Sequence, residues 1–253
     1  MVDMEGISGI CRGSQVIQGQ PDYEKARRFI TWDVNACVRG CFDGGAERVL
    51  VRDAHGSGFN LLWDELEPRA EYIQGDSRIE RMPELDSFDG LILLGYHAMA
   101  GSTQAILEHT MNSSQWQRFW INGVESGEIA IDAGIAGDHG VPVIMVSGDD
   151  KACAEARKLL KGVVPVQVKK GLDREGGFLM AKEKAHKLIS EGAAKAVRIC
   201  GQCGPHKVRH PVKMRLELVS KARVPVDKKD VRVINGRTYE VTGADVEQAL
   251  KML

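Results

Sequence analysis

The stretch FDGLILLGYHAMAGS, residues 88–102, contains a short apolar run that ends in a histidine and a glycine-containing loop. Such a run, bounded by turn residues, is typical of a strand that is buried on both faces of a parallel sheet. The segment ERVLVRDAHGSG, residues 47–58, repeats this design. Both predicted strands therefore end in a histidine, His55 in the earlier segment and His97 in the later one.

Helical patterns separate the predicted strands. Apolar residues at helical spacing fill residues 21–45, a helix is expected to open near Glu128, and a buried strand over 141–150 precedes another helix. Alternating strands and helices indicate an α/β fold with a mainly parallel sheet flanked by helices. We expect this first domain to span residues 1–165, with a second, smaller α/β domain over 166–253.

The composition excludes several classes of protein. The 253 residues include 34 basic and 35 acidic side chains, so the formal net charge of -1 provides no field that would attract nucleic acid. No apolar run approaches the ~20 residues that a membrane span requires. Six cysteines are too few for a disulfide scaffold and suit a reducing compartment. We therefore expect a cytoplasmic protein with neither a nucleic-acid nor a membrane partner.

Polar side chains with metal-binding chemistry collect at the predicted strand ends. Asp3 and Glu5 stand two residues apart, so an extended backbone would point both carboxylates to one face. With His55, His97 and Glu128 they form a ligand set that fits two zinc-like ions. A divalent cation between the carboxylates would reverse their mutual repulsion. Each residue taken singly is more often a solvated or hydrogen-bonded loop residue, so spacing alone supports only a hypothesis.

Several segments resemble, in order, the motifs of the M55 peptidase family of zinc-dependent D-aminopeptidases. They are VDMEGISG (2–9), YEKARRFITWDVNA (23–36), VRDAHGSGFNLL (51–62), LLGYHAMAGS (93–102), EHTM (108–111), INGVESGEIAIDAGIAG (121–137) and VPVIMVSGDD (141–150). The similarity is dense over residues 1–150 and looser beyond them.

The resemblance implies a role for each motif residue. Asp3 would bridge two zinc ions, with Glu5 and His55 completing one site and His97 and Glu128 the other. His109, in the EHTM motif, would be the catalytic residue. The family also forms a decameric ring with inward-facing active sites, which implies a homo-oligomer here.

The implied reaction removes N-terminal D-amino acids from short peptides such as D-Ala-D-Ala. A water activated by two zinc ions would attack the peptide, and His109 would act as nucleophile or, in our preferred interpretation, as acid-base catalyst. Two alternatives remain open at this point. One is another two-metal hydrolase, a phosphoesterase or amidase, and the other is a metal-binding protein without catalytic activity.

Two features depart from a simple reading of the motifs. Only Met1 and Val2 precede Asp3, so if the chain begins there we expect a weaker backbone anchor and weaker metal binding. The segment CGQCGPHKVRH places Cys200, Cys203, His206 and His210 at spacings that suit zinc. Its short span and its glycines favour a linker with incidental thiols over a separate metal site.

Overall fold

The computed structural model describes residues 1–75, 80–220 and 224–253. The helices are α1 (Tyr23–Asp43), α2 (Glu128–Asp138), α3 (Asp150–Leu159), α4 (Lys182–Arg198) and α5 (Val246–Lys251). The strands are β1 (Leu50–Arg52), β2 (Glu71–Ile73), β3 (Leu91–Tyr96), β4 (Trp116–Ile121), β5 (Val124–Glu125), β6 (Val143–Gly148), β7 (Val164–Gln167), β8 (Lys169–Asp173), β9 (Gly176–Leu179), β10 (Val212–Leu218), β11 (Val231–Asn235) and β12 (Thr238–Gly243).

Residues 1–3 link two sets of parallel strands. β1 pairs with β2, and β3 pairs with β6, which pairs with β7. Val2 bridges Asp53 on one side and Leu94 on the other, both in parallel. Its N–H donates to the Arg52 carbonyl at 2.9 Å, and the Asp3 N–H donates to the Leu94 carbonyl at 2.9 Å. The expectation of a weak anchor for Asp3 is therefore wrong, because its backbone is hydrogen-bonded within the sheet.

The loop after Asp3 lies directly against β3. A Cβ atom on Gly6 would stand 2.0 Å from the Tyr96 carbonyl oxygen, and one on Gly95 would stand 2.4 Å from the Asp3 carbonyl oxygen. Gly95 also has a φ of +72°, which side chains rarely adopt. Glycine at both positions lets the two carboxylate-bearing residues approach the end of β3.

The parallel strands separate two apolar cores. Leu93 and Leu94, successive residues of β3, point to opposite faces and enter different cores. One core contains the buried faces of α1 and α4. The other contains residues of α2, α3 and α5 together with β4, β10, β11 and β12. The α/β class with a parallel sheet between helices is therefore confirmed.

A five-stranded antiparallel sheet covers the core that contains α2, α3 and α5. Its strand order is β11-β12-β10-β4-β5. An Asn-Gly pair between two strands predicts a two-residue hairpin turn, and β4 and β5 form this hairpin at Asn122 and Gly123, which have φ values of 48° and 84°. β4 lies before residue 165 and pairs with β10, which lies after it, so this sheet contains strands from both predicted domains. The division into domains 1–165 and 166–253 stays a prediction.

A cavity of about 900 Å³ lies at the amino-terminal ends of β1 and β3, beside the second half of α1. Its lining includes Met1, Cys41, Leu50 and Leu91. This is the edge of the sheet opposite to the strand ends that carry His55 and His97. Within the described ranges, every helix is too short or too polar to cross a membrane.

The close approach at Gly95 predicts an unusually costly Gly95→Ala substitution. We expect a loss of about 1–3 kcal/mol of unfolding free energy through overpacking, in addition to the backbone cost of a positive φ. Gly45→Ala is the matched control, because Gly45 has a φ of +100° but nothing within 4 Å of its Cβ position. Urea unfolding that gave equal losses for the two variants would contradict the crowding argument.

Candidate metal centre

The predicted site residues come from five places and converge at the carboxyl ends of the parallel strands. Asp3 and Glu5 follow Val2, which bridges the two sets of parallel strands, His55 follows β1 and His97 follows β3. Glu128 is the first residue of α2, and His109 lies in the loop between β3 and β4. In a parallel sheet this edge is the usual place for a ligand, and the structure brings all six residues together there.

Asp3, Glu5 and His55 form the first candidate ligand group. Their candidate ligand atoms all lie within 4.8 Å of one another. His55 Nδ1 stands 3.1 Å from Asp3 Oδ1 and 3.1 Å from Glu5 Oε2. Two carboxylate oxygens and one imidazole nitrogen therefore face the same small volume.

His97, His109 and Glu128 form the second candidate ligand group, also with possible ligand atoms within 4.8 Å of one another. His97 Nε2 is 3.3 Å from Glu128 Oε1, and His109 Nε2 is 3.6 Å from the same oxygen. The rings of His97 and His109 stack with centroids 3.9 Å apart. His97 Nε2 is also 3.3 Å from Asp3 Oδ2, so the two oxygens of Asp3 face different groups.

Backbone carbonyls orient all three imidazoles. His55 Nε2 lies 2.7 Å from the Val16 carbonyl oxygen, His97 Nδ1 lies 3.0 Å from that of Ala98, and His109 Nδ1 lies 3.0 Å from that of Leu107. A carbonyl can only accept, so each of these nitrogens carries the donated proton. The other nitrogen of each ring is directed at the carboxylates, as in histidines that bind a metal.

The electrostatics of the cluster are dominated by burial and by charge pairing. Burial disfavours ionised Asp3, but His55 and His97 outweigh it, and the pKa of Asp3 lies well below its ordinary value. Burial likewise opposes charged His97, yet Glu128 and Asp3 raise its pKa well above the ordinary value. The pKa of His55 is raised in the same way by Glu5 and Asp3. Protons on the imidazoles therefore offset the buried carboxylates, and a bound metal would displace them.

Unpartnered buried atoms test whether the cluster fits a metal. Among the described residues, four buried side-chain atoms make no hydrogen bond: Asp3 Oδ2, Glu5 Oε2, His97 Nε2 and Gln74 Oε1. Buried polar atoms are rarely left in this state, and an ion is one way to satisfy them. Three of the four belong to predicted ligands and face the two groups, whereas Gln74 is not a predicted ligand. Imidazole nitrogens with carboxylate oxygens are donors that suit zinc, so the residues fit the predicted metal.

The loop that carries His109 is held in a strained conformation. Gln104, Leu107 and Met111 have φ values between 54° and 56°, and a left-handed conformation costs about 1–3 kcal/mol for a bulky residue. Ile106 N–H donates to Asp149 Oδ2 at 2.8 Å, and Met111 N–H donates to Glu128 Oε1 at 2.7 Å. These bonds fix the segment on both sides of His109.

Three residues support the site in ways that the sequence does not indicate: Asp149 and Lys169, which are buried, and Glu155, which is half-buried. The position of Asp149 just before α3 indicates a helix cap, which its bonds from Lys151 N–H and Ala152 N–H confirm, but nothing in the sequence indicates that it also accepts from Ile106 N–H. Glu155, whose pKa burial raises to about 7, accepts from Met99 N–H at 2.9 Å. Lys169 is fully buried, and burial lowers its pKa to about 8. Nothing in the sequence VQVKKG distinguishes Lys169 from its exposed neighbour.

Cys200, Cys203 and His210 of the segment CGQCGPHKVRH each have a different hydrogen-bond partner. The Cys200 thiol donates to the Asp89 carbonyl at 3.1 Å and the Cys203 thiol donates to the Gly162 carbonyl at 3.2 Å. His210 Nε2 lies 2.8 Å from Asp138 Oδ1, and burial lowers the pKa of His206. These contacts support the interpretation as a linker.

Comparison with known proteins decides the family. The sequence model of the Peptidase M55 family, D-aminopeptidase, matches residues 1–253. The chain belongs to the M55 family of D-aminopeptidases. A D-aminopeptidase of Bacillus subtilis (strain 168) is 38% identical over 199 residues, which span 78% of this chain and 72% of that relative.

A solved structure of the same family extends the similarity to the whole fold. It is described as the Zn-dependent D-aminopeptidase DppA from Bacillus subtilis, a self-compartmentalizing protease. It is 31% identical to this M55 chain, with a TM-score of 0.93 over 99% of this chain and 92% of the other. The resemblance drawn from the sequence motifs is therefore confirmed.

The two ligand groups predict separate losses of metal. We expect His55→Ala and His97→Ala each to bind about one zinc ion fewer than the unsubstituted protein, because each removes a ligand of a different group. Elemental analysis of the purified variants measures this directly. His139→Ala is the control, since His139 pairs with the exposed carboxylate of Asp86. Full metal content in either ligand variant would contradict the assignment.

Proposed function

We propose that this M55 chain is a zinc-dependent D-aminopeptidase that releases N-terminal D-amino acids from short peptides such as D-Ala-D-Ala. The observation that carries the proposal is the position of Asp3, whose oxygens lie 3.1 Å from His55 Nδ1 and 3.3 Å from His97 Nε2. One carboxylate therefore faces two candidate ligand groups, an arrangement that suits two metal ions held close together. Membership in a family of D-aminopeptidases supports the choice of substrate.

The residues divide into two zinc sites that share a ligand. Asp3, Glu5 and His55 would hold one zinc ion, and Asp3, His97 and Glu128 would hold the other. When bound, the two ions supply a polarised scissile carbonyl and an activated attacking water. Val16 and Ala98 contribute through their carbonyls, which hold one ring proton on the far nitrogen of His55 and His97 and direct the other nitrogen at the metals, whose binding would displace the second proton.

His109 would move the proton of the reaction. Its Nδ1–H is engaged by the Leu107 carbonyl, which leaves Nε2 to accept a proton and to return it to the leaving amine. The stacked ring of His97 and the fixed loop hold that nitrogen beside the ligands. Its distance of 3.6 Å from Glu128 Oε1 would also suit a metal ligand, and the variant described below separates the two roles.

The wider setting of the reaction is also a proposal. We place the metal-binding catalytic domain at residues 1–165 and a smaller α/β domain at 166–253, in a cytoplasmic homo-oligomer that forms a decameric ring. The solved relative is described as a self-compartmentalizing protease, which supports an assembly that encloses its active sites. Size measurement in solution tests the ring.

The proposed activity predicts a specific pairing of metal content and turnover. We expect about two zinc ions per chain and cleavage of D-Ala-D-Ala but not of L-Ala-L-Ala, with activity lost on chelation and restored by zinc. Metal analysis and product detection on one preparation measure both. Hydrolysis of p-nitrophenyl phosphate with neither dipeptide cleaved would indicate a phosphoesterase, and bound metal without turnover would indicate a binding protein.

Replacement of His109 separates proton transfer from metal binding. We expect His109→Ala to lower kcat by about 10²–10⁴-fold, the usual contribution of a general acid-base group, while both zinc ions remain bound. Steady-state kinetics and elemental analysis give the two readings. Loss of one zinc ion with the activity would assign His109 as a ligand instead.

A further inference from the structure

Lys169 inserts a buried cation beneath the loop that carries Glu5. It is the first residue of β8, and its side chain is fully buried. Its ammonium group donates to three backbone carbonyls, those of Glu5 at 2.5 Å, Ile7 at 3.0 Å and Ile10 at 2.8 Å. An ammonium group has three donors, so each one is used.

These bonds select one conformation of the loop. The carbonyls of Glu5, Ile7 and Ile10 must all point inwards at one nitrogen, which fixes the backbone from which the Glu5 side chain projects. A buried charge is costly unless it is fully hydrogen-bonded, so a loop that turned any of these carbonyls away would expose the ammonium to an apolar core. The cation therefore penalises alternative loop conformations.

The same loop has anchors on its other sides, which makes the contribution of Lys169 separable. Ser8 donates to the buried carboxylate of Asp33 through its N–H at 2.8 Å and its hydroxyl at 2.6 Å. Gly6 N–H donates to the Gly95 carbonyl at 2.7 Å. Asp33 holds residue 8 and Gly95 holds residue 6, whereas Lys169 holds the carbonyl of Glu5 itself.

We infer that Lys169 is a positioning residue for the first ligand group, fixing Glu5 against Asp3 and His55 through the carbonyls of residues 5, 7 and 10. The inference rests on the proposed zinc sites. It distinguishes the two groups, because the ligands of the second group, His97 and Glu128, are carried by other segments with their own backbone contacts. Loss of Lys169 affects the first site selectively.

The test measures zinc affinity at each group separately. The background variant His97→Ala leaves the first group to bind zinc, and His55→Ala leaves the second. Lys169→Met, which keeps an unbranched side chain one atom shorter and removes the donors, is added to each background. Competition with a chromophoric chelator then gives the zinc affinities. We expect a loss of about 10–100-fold in the first background, as for other residues that orient ligands, and a change within about twofold in the second.

Lys170→Met is the matched control, because Lys170 is the adjacent residue of the same strand and is exposed. It should leave both affinities unchanged. If circular dichroism shows that Lys169→Met does not fold, Lys169→Gln, which keeps a donating amide, replaces it in both backgrounds. It should lower the zinc affinity of the first group and leave that of the second within about twofold.

The outcomes separate this inference from the proposed function. Unsubstituted protein that binds no zinc would refute the zinc sites themselves. Unsubstituted protein with two zinc ions, together with folded Lys169 variants that bind zinc at the first group as tightly as their background, would overturn only the role of Lys169. An equal loss at both groups would also overturn it, since that is the result expected from general destabilisation.

Discussion

The burial of three carboxylates in one small volume is the constraint on which the rest of the structure depends. Asp3, Glu5 and Glu128 are all buried, and like charges at such distances repel strongly where water is excluded. Positive charge must therefore be supplied, by the imidazoles of His55 and His97 or by metal ions. The surrounding structure holds these groups in place although the cluster by itself opposes burial, which is common at functional sites.

The fold meets this constraint with ordinary elements of an α/β sheet. Asp3, His55 and His97 lie at one edge of the sheet because they follow Val2, β1 and β3. Glu128, in the first turn of α2, lies at the same edge. Glycines at positions 6 and 95 remove the side chains that would keep these segments apart. Close backbone approach thus replaces long side chains as the means of collecting the ligands.

The sequence predicts those parts of the structure that are encoded locally. The buried strand at residues 91–96, the helix from Tyr23 and the hairpin at Asn122 each have a short pattern, and the structure confirms them. The site residues were found because they follow such patterns or lie in family motifs. The sequence patterns do not predict the hairpin of β8 and β9. The helical pattern of residues 178–198 predicts a helix that begins four residues too early, because α4 begins at Lys182. The conformation of these segments depends on packing against distant segments, as does the burial of Lys169.

The pairing of segments far apart in the sequence has a consequence for the order in which the molecule is completed. Lys169 and Glu5 are separated by 164 positions, and the pairing of β4 with β10 requires the chain to be synthesised to residue 218. A chain emerging from the ribosome therefore exposes the carboxylates of Asp3 and Glu5 long before the segments that enclose them exist. Contacts of this range close late because they carry a large loop entropy. The arrangement of Asp3 and Glu5 seen in the structure therefore requires residues from the last third of the chain, and a fragment that ended before Lys169 would lack the cation that holds the Glu5 carbonyl.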